Sequence, residues 1–399
     1  MLARMLATLG AQMQTVAVGW QIYAITRDPL DLGLIGLSQF LPFIVLVLPA
    51  GQVADHNDRA RILSLCYATS TLCAVLLLLF TWLGIHAAWP VFAAMTLLGC
   101  ARAFSMPSSQ ALLPNLMPPE EFSRGVALNS SAMQIATVAG PALGGLLYIA
   151  GPMVVYATVI ACAFTSRLLM AGVRANSSAP RLSEPPGWRT LLSGLRFVWS
   201  RRIVLGAISL DLFAVLFGGA TALLPVFARD ILHTGPAGLG LLRTAPGIGA
   251  GVCALLLAMS PIMNRVGAWM FGGVAAFGLA IVTFGLSTNF VVSLLCLVVL
   301  GAGDMVSVYI RHLLVQLETP DEIRGRVSAV SAVFVGASNE LGEFESGVTA
   351  SWWGAVRSVV FGGVMTLMVT GLWVRMFPTL WNMKTFPPRN AANAANEVK

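Results

Sequence analysis

Leu72-Cys73-Ala74-Val75-Leu76-Leu77-Leu78-Leu79-Phe80 is an unbroken apolar run. It does not alternate, so it is not a strand of a membrane barrel, where lipid-facing and lumen-facing positions take turns. In lipid the backbone must satisfy its own polar groups, and a run of this kind does so as a helix. The apolar stretch around it covers 62–84. Others lie at 2–24, 31–53, 89–109, 125–147, 153–173, 203–228, 237–259, 268–287, 290–313, 326–349 and 355–377. Each has about the 20 residues that cross a hydrocarbon layer. The 399-residue chain is 57% hydrophobic and 10% charged, with mean hydropathy +0.80. Soluble domains carry about 25% charged residues, and so apolar a chain has too little polar surface to face water on its own. The sequence predicts an all-α membrane protein with twelve transmembrane helices. Residues 1–24 read as the first of them, not as a cleaved leader.

Charge placement orients these spans. Of the 24 basic residues, five fall within spans: Arg4, Arg102, Arg167, Arg243 and Arg311. With the N-terminus inside, only Arg27, Arg229 and Arg357 lie in outer segments, and the other sixteen lie in inner ones. This bias predicts that both termini are cytoplasmic. The net charge of +7 is spread along the chain with no basic run, so it does not indicate a nucleic-acid partner. The six cysteines lie in apolar segments without C-x-x-C spacing, and the four histidines are scattered. No metal site is expected. There is no phosphate-binding G-x-x-x-x-G-K-[ST] loop, and Gly247-Ile248-Gly249-Ala250-Gly251 follows no strand. It reads as a close-packed helix face, and no cofactor is expected.

One long polar segment, 174–202, carries six arginines and three prolines. It divides the chain into an N-terminal six-helix half (1–173), a cytoplasmic linker (174–202), a C-terminal six-helix half (203–378) and a cytoplasmic tail (379–399). The halves echo each other. Pro119-Glu120-Glu121-Phe122 resembles Pro320-Asp321-Glu322-Ile323, and Leu32-Gly33-Leu34 resembles Leu239-Gly240-Leu241. A duplicated six-plus-six transporter places its site near the midplane between the halves.

The loop after the second span reads Gly51-Gln52-Val53-Ala54-Asp55-His56-Asn57-Asp58-Arg59-Ala60-Arg61. Gly51 permits close helix approach, and Asp55 is suited to the positive end of another helix. This spacing resembles the signature loop of the major facilitator superfamily. Further stretches resemble one branch of it: Ala101-Arg102-Ala103-Phe104, Gly140-Pro141-Ala142-Leu143-Gly144-Gly145, Thr319-Pro320-Asp321-Glu322-Ile323-Arg324-Gly325-Arg326, and Ala337-Ser338-Asn339-Glu340-Leu341-Gly342-Glu343. That branch is the enterobactin-exporter-like group of drug:proton antiporters. The chain departs from the pattern at His56-Asn57 and Ala60, where relatives often carry more arginine or glycine.

The resemblance implies the major facilitator fold, a monomer, and a multi-pass position in the bacterial inner membrane. It implies a gating loop in which Asp55 holds the N-terminus of span eleven, with Arg59 and Arg61 in support. It also marks Gly140, Pro141, Gly144 and Gly145 as an exporter-type motif; by their chemistry alone, the small residues equally serve plain helix packing.

Ionisable groups inside spans each cost roughly 2.5–3.5 kcal/mol on insertion scales, so their presence asks for a reason. The candidates for proton coupling are Asp211, Asp304, Arg102, Arg243, Arg311, Glu340 and Glu343. Asp304 and Arg311 are seven apart on one helical face. Burial disfavours a charged carboxylate and a nearby arginine favours it, so a carrier that alternates between the two can bind and release a proton. The competing reading pairs Asp211 or Asp304 with Arg243 or Arg311 structurally. Gln12, Gln21, Gln39, Gln134, Phe213, Phe217 and Asn339 are candidates to line a substrate cavity. The expected partners are a small-molecule substrate, protons and the lipid bilayer. The expected function is secondary active export of a small amphipathic molecule, a drug or siderophore, by alternating access in exchange for protons. A facilitator or importer with purely structural charges is the second reading. A polytopic membrane enzyme, such as a polyprenyl transferase, is a remote third, because the loops carry no aspartate-rich pair to hold a metal diphosphate.

Overall fold

The computed structural model describes residues 1–112, 121–173 and 188–387, with the side chains of Leu48, Asp55, Ala111, Phe122, Ser123, Asp321, Glu322, Ala329 and residues 188–193 set apart. The elements are helical throughout these residues. They are α1 (Leu2–Thr26), α2 (Pro29–His56), α3 (Arg59–Trp82), α4 (Trp89–Leu112), α5 (Phe122–Leu147), α6 (Pro152–Ala171), α7 (Trp188–Ser200), α8 (Arg202–Phe217), α9 (Leu224–Val226), α10 (Gly235–Met259), α11 (Val266–Leu286), α12 (Phe290–Glu318), α13 (Asp321–Trp353), α14 (Ala355–Met376) and α15 (Pro378–Trp381). Ten candidate spans are long and apolar enough to cross a membrane. The other two long helices are α1 and α13. Arg4 and three glutamines dilute α1, and α13 carries arginines and glutamates along its length.

Local chemistry sets the helix starts. Asp28 caps α2, its carboxylate accepting the Leu30 N–H at 2.9 Å, with Pro29 in the first turn where no N–H is needed. Asp58 caps α3 through Ala60 at 2.9 Å. Asn289 caps α12 through the N–H groups of Val291 and Val292. Gly354, at φ 84°, makes the sharp break between α13 and α14 in a backbone region that other residues rarely enter.

Two differences from the expected map have physical causes. The seventh span is not one helix over 203–228. It is α8, then a 3-10 turn (Gly219–Leu223), α9 and a π turn (Phe227–Ile231). Gly218, Gly219 and Pro225 fall there, and none of them supports a regular helix interior. The expected linker contains α7, whose Leu195 and Val198 pack with Val204, Val327 and Val330.

Contacts group the chain into two compact units. The first holds Met1–Pro186 and Leu224–Thr244. In it α2 packs on α4, α3 on α4 and α6, and α1 on α5 and α6. The second holds Gly187–Leu223 and Ala245–Lys399. There α11 packs on α12 and α14, and α8 on α13 and α14. The pairing scheme of α1, α3, α4, α5 and α6 thus recurs in α8, α11, α12, α13 and α14. The close approaches recur too. Gly99 lets α4 approach the backbone of Gln39 on α2, and Gly301 lets α12 approach that of Pro246 on α10.

Candidate functional site

The second unit buries a charged cluster. Asp211 on α8 is 3% exposed and Arg311 on α12 is 2% exposed, and Arg311 Nη1 donates to Asp211 Oδ2. The cause is plain geometry. Asp211 sits on the face of α8 that carries the buried Val204, Ala207, Ile208 and Ala214, and α12 lies against it. A charge placed there must be answered there. Two turns back along α12, Asp304 shares with Asp211 the lining of a cavity of about 10 Å³, to which Ala214, Val215, Val274, Phe277 and Ser307 also contribute. That is about the space of one water molecule. Arg311 Nε is buried and has no hydrogen-bond partner among the described residues, and the Ser307 hydroxyl stands beside the Asp211 carboxylate. One guanidinium therefore stands near two carboxylates, beside a water-sized gap and with one unused N–H donor. Chemically, such a set can hold one proton, and the arginine can answer one carboxylate at a time.

The spacing of seven on α12 puts Asp304 and Arg311 on one face, and the structure adds that the arginine's hydrogen-bonded partner is Asp211. Arg243 belongs to the first unit, its Nη2 3.3 Å from where a methyl on Gly19 would stand. Arg102 is exposed on α4, its guanidinium 5.5 Å from the centre of the Phe43 ring. Glu340 and Glu343 lie half-buried on α13.

Of the cavity candidates, Gln21 is engaged through both its amide nitrogen and its amide oxygen. It donates to Thr81 Oγ1 at 2.9 Å and accepts from the Tyr156 hydroxyl at 2.5 Å. Gln39 Nε2 donates to Met95 Sδ at 3.4 Å. Gln12 packs on Gly140. Gln134 is exposed, and Asn339 turns back on the Val335 carbonyl at 2.9 Å. Phe213 stacks obliquely on Trp373 with centroids 5.3 Å apart, and Phe217 is half-buried against the core of the second unit.

In the signature loop Gly51 and Asp55 lie in the last turns of α2, and the Asp55 side chain falls outside the described residues. Arg59 Nε donates to the Ala54 carbonyl at 3.3 Å, and Arg61 lies 3.6 Å from Asp58. The glycine motif of α5 has two faces. Gly140 and Gly144 face α1: a methyl on Gly140 would stand 2.5 Å from Gln12 Cβ, and one on Gly144 2.8 Å from Met13 Cα. Gly145 faces Gly240, with 2.8 Å from its added methyl to the Gly240 Cα, and Gly240 in turn meets the Pro141 carbonyl.

A second polar cluster was not singled out from sequence. Asp230 accepts from the Tyr23 hydroxyl and pairs with Arg27 at 3.1 Å. Nearby, the Arg229 guanidinium lies 5.7 Å from the Trp20 ring centre, and Trp20 meets Tyr148 edge-on at 6.5 Å. The one sequence signal was an aspartate beside an arginine at the end of an apolar span.

The comparisons with known proteins agree with one another. The chain is 27% identical over 335 residues to the enterobactin exporter EntS of Citrobacter koseri, covering 82% of this chain and 79% of that one. It is 25% identical over 398 residues to the enterobactin exporter EntS of Escherichia coli, covering 98% and 94%. Among solved structures, a bacterial homologue of the iron transporter ferroportin matches with a TM-score of 0.72 at 16% identity, over 96% of this chain and 97% of that one. A family model described as transmembrane secretion effector matches residues 1–396. The chain therefore belongs to the transmembrane secretion effector family of major facilitator transporters, and it is a multi-pass membrane protein that moves a small molecule and not an enzyme.

Proposed function

We propose that this transporter exports a small amphipathic molecule of the siderophore or drug class across the bacterial inner membrane, by alternating access and in exchange for protons. It would act as a monomer with both termini cytoplasmic. Motion would rock the N-terminal half, 1–173, against the C-terminal half, 203–378. The direction and substrate class rest on the family description and on the relatives that carry the name enterobactin exporter. The glycine motif of α5 is consistent with that direction.

One observation carries the coupling: the buried Asp211, which holds the buried Arg311, shares a small cavity with a second, half-buried carboxylate, Asp304, that also feels the arginine's charge. If both carboxylates were charged in hydrocarbon, one would be uncompensated, so neutralising one by a proton is the inexpensive state. Arg311 can then trade partners as the proton comes and goes. Because Asp211 holds the arginine, Asp304 is the carboxylate assigned to carry the proton.

The test uses inverted membrane vesicles with an acid interior. Uptake of a labelled siderophore or dye into the vesicles should follow the imposed pH gradient and collapse with a proton ionophore. Uptake that ignores the gradient would overturn the coupling and favour a facilitator with structural charges.

A further inference from the structure

The geometry points to a binding site for an acidic phospholipid, its phosphodiester headgroup seated in the groove between the charged ends of α3 and α6 and its chains along α3. The groove is a cavity of about 530 Å³ lined on its polar side by Asp58, Arg61, Ser64 and Arg167. All of it lies within the first unit.

Three observations carry this. First, the charge is incompletely answered. Arg61 has Asp58 3.6 Å away and remains 88% exposed at its side chain. Arg167 is exposed, and none of the ion pairs among the described residues includes it. With one aspartate against two arginines, the groove favours an anion, and planar guanidinium groups suit phosphate oxygens.

Second, the groove runs into an apolar track of acyl-chain character. Arg61, Leu65, Ala68, Leu72, Val75 and Leu79 alternate at spacings of four and three, which is one face of α3. Leu65 is 69% exposed and Leu72 51% exposed. On α6, Phe164 and Leu168, which flank Arg167 in sequence, are exposed as well. A soluble phosphate would use the arginines but not the track; a lipid uses both.

Third, the position is that of a headgroup. The charged residues stand at the ends of two spanning helices, Arg59–Trp82 and Pro152–Ala171. Basic pockets between spanning helices at a membrane surface are where acidic headgroups are held, each surface arginine contributing about fivefold in affinity.

The experiment is native mass spectrometry of the full chain in detergent, titrated with phosphatidylglycerol, cardiolipin or phosphatidylcholine, with glycerol phosphate as the soluble arm. The acidic lipids should remain as adducts at concentrations where phosphatidylcholine and glycerol phosphate do not. Replacing both arginines (Arg61→Gln with Arg167→Gln) should weaken retention roughly 30-fold. The charge-keeping pair Arg61→Lys with Arg167→Lys should retain most of it, which separates loss of binding from loss of fold. Asp58→Asn keeps the helix cap and should strengthen retention several-fold. Equal retention of phosphatidylcholine, retention unchanged in the double Gln variant, equal loss in the Lys pair, or equal binding of glycerol phosphate would each overturn the lipid site.

Discussion

Arg311 on α12 donates to Asp211 on α8, and both side chains are almost wholly enclosed, at 2% and 4% exposure. A pair so buried is costly to form and costlier to break. Its members come from positions 100 residues apart, so it ties two helices of the second unit together while leaving Asp304 beside it. Stability and transport should therefore respond differently to the three residues.

Arg311→Gln should destabilise the protein by about 3–5 kcal/mol, because it leaves Asp211 buried without its partner, and Asp211→Asn should cost less, because Asp304 remains near enough to answer the guanidinium. The double variant should lose less than the sum, with a coupling of about 1 kcal/mol or more. Equilibrium unfolding in mixed micelles measures this. Additive losses would show that the pair does not stabilise as a unit.

Asp304→Asn keeps the volume of the side chain and removes its charge. Substrate exchange between vesicle compartments should persist, and accumulation driven by a pH gradient should vanish. Gradient-driven accumulation at the wild-type level would remove Asp304 as the proton carrier.

The glycines of α5 and α10 differ in what surrounds them. A methyl on Gly144 meets the Met13 backbone, at 2.8 Å from Cα and 3.0 Å from the carbonyl oxygen, whereas one on Gly251 meets nothing within 4 Å. Gly144→Val should cost about 1–3 kcal/mol or more through overpacking. Gly251→Ala should be neutral or stabilising by up to about 1 kcal/mol, since helix propensity improves at no steric expense. Thermal unfolding of the two variants in one detergent compares them directly.

At Asp230, the two partners are unequal. Tyr23 is 5% exposed and gives its hydroxyl to the carboxylate, and a hydrogen bond to a charged group contributes about 1.5–3 kcal/mol. The Arg27 pair is half open, at 55% and 38% exposure, so water screens it to about 0–1 kcal/mol. Tyr23→Phe should thus destabilise more than Arg27→Gln, and only the second effect should shrink with added salt. Unfolding measured at low and high ionic strength tests both statements.

Much of the fold could be read from the chain. The apolar runs mark the spans because insertion into lipid is decided over about 20 consecutive residues, and that information is local. The helix caps at Asp28 and Asp58 are local in the same way. The break in the seventh span was less legible. Gly218, Gly219 and Pro225 are visible, but helices in lipid tolerate such residues where neighbours satisfy the freed groups, so their presence alone did not announce a 3-10 turn and a π turn. The glycines of α5 could be identified as packing residues from their spacing, yet nothing in that spacing said that Gly140 and Gly144 meet α1 while Gly145 meets Gly240.

By itself the sequence determined that the chain lives in a bilayer and carries the marks of a major facilitator transporter. It also listed which charges fall within the spans, because hydropathy and motif spacing are properties of neighbours along the chain. Only the tertiary structure decided that Arg311 is held by Asp211 while Asp304 lines a cavity with Asp211, that Gln21 is spent on Thr81 and Tyr156, and that Arg61 and Arg167 open onto one groove. Pairing of this kind depends on which helix faces meet. Helix faces are set by packing among residues far apart in sequence, and the apolar pattern of a membrane helix, hydrophobic on nearly every side, says little about which face that will be.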